Sequence, residues 1–435
     1  MFLLKFSLLL IFEILFFISK NKNMKIQFTF YVAGILCLLF SPFLLAQNEN
    51  TYGNEWIDYA ETYYKFKIEK AGVYKIPYGT LQNAGLADLD GAGFHLFAKG
   101  REIPIFVSNE NTMTENDYIE FYAEANDGHF DTQLFAESEW QLHTFKSLFS
   151  DSLTYYLTWN DANEGLRFVE TENNLTDLPP KEPYFMHTNL KIHGGIHFPG
   201  QPFRLGGANN NLPEFENGEG FVGLSILGGT SQTYTLNTPF KYTGTDAPLA
   251  HFESKIVGRS DDALVIDDHH VQIKINGVVY QDISSGYRAY DNLLIETPVF
   301  LSSIAAETEV EYISVGDQSN TDINAVAYTE ITYPRQFNFY EENKFFFTLE
   351  NNEQKYLEIA LFEGGNEPIV YDLTNHLRLL PVWEDNVYKI SLPAGDDVSL
   401  KRELYIFNPD IFCELNCEFP CIPDCFTCSA NECAA

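Results

Sequence analysis

His270-Val271-Gln272-Ile273-Lys274-Ile275, followed by Asn276-Gly277 and then Val278-Val279-Tyr280, is the stretch that decides the fold class. Val271, Ile273 and Ile275 recur with period two, and Gln272 and Lys274 fill the alternate positions. That is the pattern of a strand with one buried face. Asn-Gly is favoured in a two-residue type I′ turn, where both central residues need a positive φ. The stretch therefore predicts a β-hairpin.

The same signals extend in both directions. Downstream, Val310–Val315, Val326–Tyr333, Lys344–Leu349, Tyr356–Phe362 and Glu403–Phe407 read as strands, and upstream so do Phe221–Leu227 and Tyr234–Phe240. Nearer the start, Tyr64, Phe66 and Ile68 alternate with Lys65, Lys67 and Glu69, Ala71-Gly72 is a turn, and Val73-Tyr74-Lys75-Ile76 returns. Phe94–Phe97, Ile103–Val107, Tyr118–Tyr122 and Tyr155–Trp159 continue the series, and a short helix is expected from Thr80, as cap, to Gly85, as stop. Regular short strands without long helices predict an all-β protein of two consecutive β-sandwich or jelly-roll-like domains. A proline-rich stretch, Asn173–Pro183, reads as the connection between them, and Gly194–Gly220 is loop-rich. The expected organisation is residues 1–46 signal peptide, 47–180 first β domain, 181–410 second β domain and 411–435 a cysteine-rich tail.

The composition narrows the function. The chain has 435 residues, 27 Lys and Arg against 61 Asp and Glu, and a net charge of −34. Apolar residues make up 45% and aromatic residues 15%, enough to build cores. So acidic a surface excludes nucleic acid as the expected partner and disfavours anionic membranes.

Residues 1–46 differ from the rest. Met24-Lys25, the apolar run Phe28–Phe40, then Ser41-Pro42 and Ala46 follow the order of a secretory signal peptide. Met1–Asn23 reads as an extension upstream of the true start at Met24. Cys37 is a poor lipoprotein site because bulky Leu36 precedes it. Cleavage after Ala46 leaves 389 residues carrying −37, with no stable membrane insertion expected. Six of the seven cysteines (Cys413, Cys417, Cys421, Cys425, Cys428, Cys433) lie in the last 23 residues, and none lies between Cys37 and Cys413. The body must stand on hydrophobic cores alone. The abrupt change after Phe412 is expected to mark a frameshifted or truncated tail, with a disulfide knot as the other reading.

Candidate chemistry is sparse. No G-x-S-x-G elbow and no H-E-x-x-H motif occurs. His193-Gly194 is similar to the His-Gly pair of some cysteine peptidases but lacks a nucleophile. Asp267-Asp268-His269-His270, with Asp261-Asp262 upstream, is the densest ligand cluster, yet adjacent strand residues point to opposite faces. Asn126-Asp127-Gly128 with Asp131 has calcium-loop chemistry without EF-hand spacing, and an Asx turn is the simpler reading. Trp56, Tyr59, Tyr63, Tyr64 and Trp159 could stack on sugars, although aromatic residues also fill β cores. We assign no catalytic residue, no metal and no cofactor.

Trp56-Ile57-Asp58-Tyr59, Thr62–Ile68, Gly72–Ile76 and Leu81–Gly85 together resemble the opening of the type IX secretion system sortases of the Bacteroidota, the PorU-like members of the gingipain-type C25 cysteine peptidases. Phe94–Phe97, Gly100–Ile105, Asn116–Tyr122, Asn126–Gly128, Leu148–Asp151 and His270–Gly277 continue the likeness, which runs from about Trp56 to Asn408. The resemblance implies the exported, non-catalytic region that precedes the peptidase domain. It implies a cell-surface location, a C25 peptidase domain as partner in cis, and outer-membrane attachment-complex proteins as further partners. In that family the enzyme removes C-terminal sorting domains from cargo. Its catalytic His and Cys have no counterpart here, so the chain as it stands is expected to be inactive. The other reading is a stand-alone surface binding protein, for glycans among other ligands.

Overall fold

In the computed structural model Val271, Ile273 and Ile275 all point into the core, and Asn276 and Gly277 adopt φ of 45° and 80° at the turn. The opening hairpin thus forms with its apolar face inward. The structure describes residues 54–211, 214–365 and 367–411, with the backbone of Cys413–Glu414. The expected signal peptide, residues 1–46, and nearly all of the cysteine-rich tail lie outside the described residues. From Tyr59 onward the chain forms one unit, built almost wholly of strands.

The first layer pair uses β1 (Tyr64–Ile68), β2 (Gly72–Pro77), helix α1 (Tyr78–Asn83), β3 (Phe94–Ala98), β4 (Arg101–Ile103), β5 (Phe106–Val107), β6 (Tyr118–Ala123), β7 (Leu153–Trp159) and β8 (Val169–Glu170). One sheet runs β1-β7-β3-β4 and the facing sheet contains β2-β6-β5. Phe66, Ile68, Phe94, Leu96, Ile119, Phe121 and Tyr155 close the core between them. Each such side chain contributes roughly 1.5–3 kcal/mol by leaving water. Ile103–Val107 does not form one strand. Pro104 has no N–H for a ladder, and the chain changes sheet there, β4 joining one layer and β5 the other. The helix starts at Tyr78 rather than at Thr80, which lies buried inside it, and ends before Gly85, whose φ is +77°.

The second sandwich uses β9 (Phe185–Ile192), β10 (Ile196–Phe198), β11 (Phe203–Leu205), β12 (Ala208–Asn210), β13 (Gly220–Val222), β14 (Ile226–Leu227), β15 (Thr230–Asn237), β16 (Ala250–Gly258), β17 (Val271–Ile275), β18 (Val278–Ile283), β19 (Asn292–Val299), β20 (Glu307–Ser314) and β21 (Ile323–Arg335). The sheet β14-β21-β16-β19, with β9 on β21, faces the sheet β15-β20-β17-β18. Phe252, Ile256, Ile273, Tyr312, Ile331 and Tyr333 lie in its core. The expected strand Val326–Tyr333 is longer, because β21 is central and buried on both faces.

The third group is β22 (Lys344–Glu350), β23 (Lys355–Ala360), β24 (Ile369–Asp372), β25 (Leu377–Leu379), β26 (Val382–Glu384), β27 (Val387–Leu392), β28 (Lys401–Phe407) and β29 (Cys413–Glu414). The sheet β22-β28-β24-β25-β8 and the sheet β23-β27-β26 enclose a phenylalanine-rich core with Phe339, Phe345 and Phe347. Residues 181–410 thus hold more than one core, with a further apolar cluster of Phe198, Val222, Val257, Ala325 and Ala327 beside these two.

The groups interlock. β8 pairs in parallel with β25, and β29 pairs in parallel with β2. Val73 and Phe168 pack with Ile369, Tyr371, Tyr405 and Phe407 in a joint core. Asn173–Pro183 is no free linker: the Asn173 amide donates to the carbonyls of Leu380 and Lys389 and accepts from the Ser391 N–H. Among the described residues, no helix is long and apolar enough to cross a membrane.

Candidate functional site

The outward face of the β9-β21-β16-β19 sheet carries the most concentrated chemistry. Because side chains alternate, Phe252 and Ser254 point inward while His251, Glu253 and Lys255 point outward. Register then places Glu253 directly opposite Glu296 on β19 and opposite Glu330 on β21. Three carboxylates stand abreast, an arrangement that like-charge repulsion disfavours. The Tyr328 hydroxyl donates to Glu253 Oε1 at 2.7 Å, and the His251 Nε2 lies 3.9 Å from Glu296 Oε1.

The electrostatics follow from this geometry. Burial, and then the charge of Glu253, push the Glu330 carboxyl up to about 7. Lys255 gives its ammonium to the carbonyls of Glu139 and Gln141, at 2.7 and 2.6 Å, and burial lowers it to about 8. One ligand atom each from His251, Glu253 and Glu296 lies within 4.8 Å of the others. An imidazole with two carboxylates is a donor set that zinc and similar ions accept. His251 and Glu296 are open to solvent, so the group is a surface patch and not an enclosed cage.

The residues singled out in the sequence fall elsewhere. His193 is buried, its ring stacked 3.7 Å from Tyr234 and its Nε2 paired with Thr329 Oγ1 at 2.9 Å. Burial, with Lys191 and His143 nearby, lowers it to about 4. Asp127 bonds to the His129 N–H and to Lys99, and Asp131 accepts the Leu148 N–H. These carboxylates serve an Asx turn and its neighbours. Tyr59 is well exposed, Tyr63 meets the edge of Phe97, Tyr64 packs on the first core, and the Trp159 N–H donates to the Asp90 carbonyl. Trp56 is half-buried. The five aromatic residues are spread over different settings.

Asp267–His270 does not converge on one point. His269 is fully buried, its Nδ1 2.7 Å from Asp322 Oδ1 and its Nε2 2.7 Å from the Ala289 carbonyl. His270 lies between Asp317 and Asp282, each at 2.7 Å. Both rings are thus fully engaged with oxygen acceptors.

The carboxylate row was not singled out in the sequence. Its one local signal is His251-x-Glu253 within a strand. Glu296 and Glu330 join only through pairing with β19 and β21.

A scan against protein-family models finds no match for the chain, and a search of curated proteins finds none. Among solved structures the chain is similar to dimeric latent PorU from Porphyromonas gingivalis, with 12% identity and a TM-score of 0.49, over 80% of this chain and 32% of that one. The chain therefore spans about a third of the length of that structure. It is also similar to the CBM36-1 domain of a multidomain xylanase from the hindgut metagenome of Trinervitermes trinervoides, with 12% identity, a TM-score of 0.19, and 34% and 95% of the two chains covered. A third is the C-terminal CBM6 of LamC from Zobellia galactanivorans, at 12% identity and a TM-score of 0.17, over 34% and 99%. At these values the likenesses carry no functional inference.

Proposed function

We propose that this chain is the non-catalytic N-terminal β region of a PorU-like type IX secretion sortase, exported to the outer-membrane surface. There it packs against a C25 peptidase domain in cis. The observation that supports this is where the residues carrying the resemblance fall. Gly72–Ile76 lies on β2, and Asn116–Tyr122 leads into and forms most of β6. Val73 joins Tyr371, Tyr405 and Phe407 in the joint core, and the Tyr122 ring lies 4.9 Å from that of Tyr405. These blocks build the joint between the first and third groups of strands, as a scaffold requires. The imidazoles point the same way: His187 is packed against Tyr333 and Phe345, His193 is stacked on Tyr234, and His269 is held between two acceptors.

Purified residues 47–412 test the reading in two ways. They should show no thiol-dependent peptide hydrolysis, and they should form a 1:1 complex with the peptidase domain encoded downstream in the source DNA. A stop codon with no peptidase domain in any frame, together with binding to a glycan array, would move the assignment to a stand-alone binding protein.

A further inference from the structure

The two adjacent histidines at the end of the second sandwich share an unusual chemical condition. Each ring nitrogen of His269 faces an acceptor: Asp322 Oδ1 at one side, the Ala289 carbonyl at the other. Each ring nitrogen of His270 also faces an acceptor, Asp317 Oδ1 or Asp282 Oδ1. A neutral imidazole has only one N–H. It can satisfy one of its two acceptors and must turn a lone pair towards the other. Asp322 is a poor source of the missing proton, because its carboxyl is held below its usual range by His269 and by the donors on its oxygens, the Asn324 amide and the His270 backbone N–H among them. The geometry favours the imidazolium form of both rings, which alone can donate to both acceptors at once.

Three loops meet around these two rings. Asp268, beside His269, accepts the backbone N–H groups of Asp262 and Ala289, both at 2.7 Å. That ties residues 259–268 and 284–291 to the end of β17. Asp322 and Asp317 bring in residues 315–322, and Asp282 brings in β18. The loop so held presents Leu264 and Ile266, 95% and 80% exposed, outside the sandwich.

We propose that His269 and His270 form a proton-operated clip that fixes the loops 259–268 and 284–291 against the sandwich and releases them when the rings deprotonate. The other groups facing His269 are Asp268, Asp291 and the buried Tyr287, whose ring lies 4.7 Å away. Arg288 acts on Asp291, and Asp282 and Asp317 face His270. Burial opposes the charge on both rings. The aspartates, with the Ala289 carbonyl at His269, outweigh it and hold both imidazoles above their usual range. A histidine held above its ordinary value stabilises the fold fully below about pH 6.5, and that contribution is lost as pH rises through the folded value.

The test is hydrogen exchange of the Asp262 and Ala289 amides in the mature chain from pH 6 to 9, corrected for intrinsic rates, with histidine 15N spectra alongside. The expected result is two doubly protonated rings near pH 6.5 and a tenfold or greater loss of protection at both amides as pH rises. His270→Gln, at the less buried of the two sites, should remove part of the pH dependence, and His269→Gln most of it. Protection that stays flat over this range, or a neutral tautomer at pH 6.5 in the unmodified chain, overturns the proposal. The wild-type spectra decide the matter if His269→Gln does not fold.

Discussion

The Tyr371 hydroxyl donates a hydrogen bond to the carboxylate of Glu120, 251 positions earlier in the chain. Glu120 is fully buried on β6, and the Lys75 ammonium lies 3.3 Å from its other oxygen. A buried carboxylate is tolerated only with partners of this kind. Here one partner comes from the first group of strands and the other from the third, so the charge can be satisfied only when the two are docked.

Tyr371→Phe should therefore cost about 1–3 kcal/mol, the penalty for leaving a buried acceptor short of a donor. The ring stays and keeps its stack on Phe168 at 4.1 Å, so packing loss is not the cause. Urea unfolding measures it, and a change below about 0.5 kcal/mol would mean that the bond does not hold the joint.

Arg402 and Asp372 form a second buried pair, with Arg402 Nε 2.7 Å from Asp372 Oδ2 and both side chains fully buried. Arg402→Met strands the carboxylate and should cost about 3–5 kcal/mol. Adding Asp372→Leu should recover a large part of that loss, since the penalty belongs to the unpaired charge. The double-mutant cycle reads the coupling directly.

Glu330 gives a pH prediction of known sign. Its carboxyl is raised from 4.5 to about 7, so the folded state holds a proton that the unfolded chain has released. Stability must fall as pH rises from about 4.5 through 7. Glu330→Gln should remove that slope and raise the melting temperature at pH 8. With the group only partly buried, the gain is about 1 kcal/mol or less. Melting curves at pH 5 and pH 8 provide the comparison.

The opening hairpin can be probed at its turn. Gly277 has φ of +80° and open space where a Cβ would sit, so Gly277→Ala tests backbone strain alone and should cost about 1–2 kcal/mol. Asn276→Ala should cost more. It also strains the turn, and it removes the bonds to the Ser303 carbonyl and the Glu309 N–H, both at 2.9 Å. The reverse ranking in thermal unfolding would contradict this account.

Much of the strand content was legible because it is local. Val271, Ile273 and Ile275 announce a buried face by their spacing, and Asn276-Gly277 announces its turn by the φ values it tolerates. Phe66 and Ile68 do the same for β1. The breaks were harder to read. Phe221–Leu227 looks continuous, yet β13 pairs with β10 and β14 pairs with β21. An apolar run does not reveal which partner each half will meet.

The site chemistry was less legible still. His251-x-Glu253 is visible along the chain, but nothing local states that Glu296 and Glu330 lie on either side of it. The residues themselves determined an acidic all-β chain with apolar cores and no disulfide framework between Cys37 and Cys413, since periodicity, turn chemistry and charge are properties of short segments. Only the tertiary structure decided that Glu120 would meet Tyr371, that three glutamates would stand abreast, and that His269 would be sealed between Asp322 and Ala289. Those relationships depend on strand register across tens to hundreds of residues. Register is set by how whole sheets fit together, and no single segment encodes it.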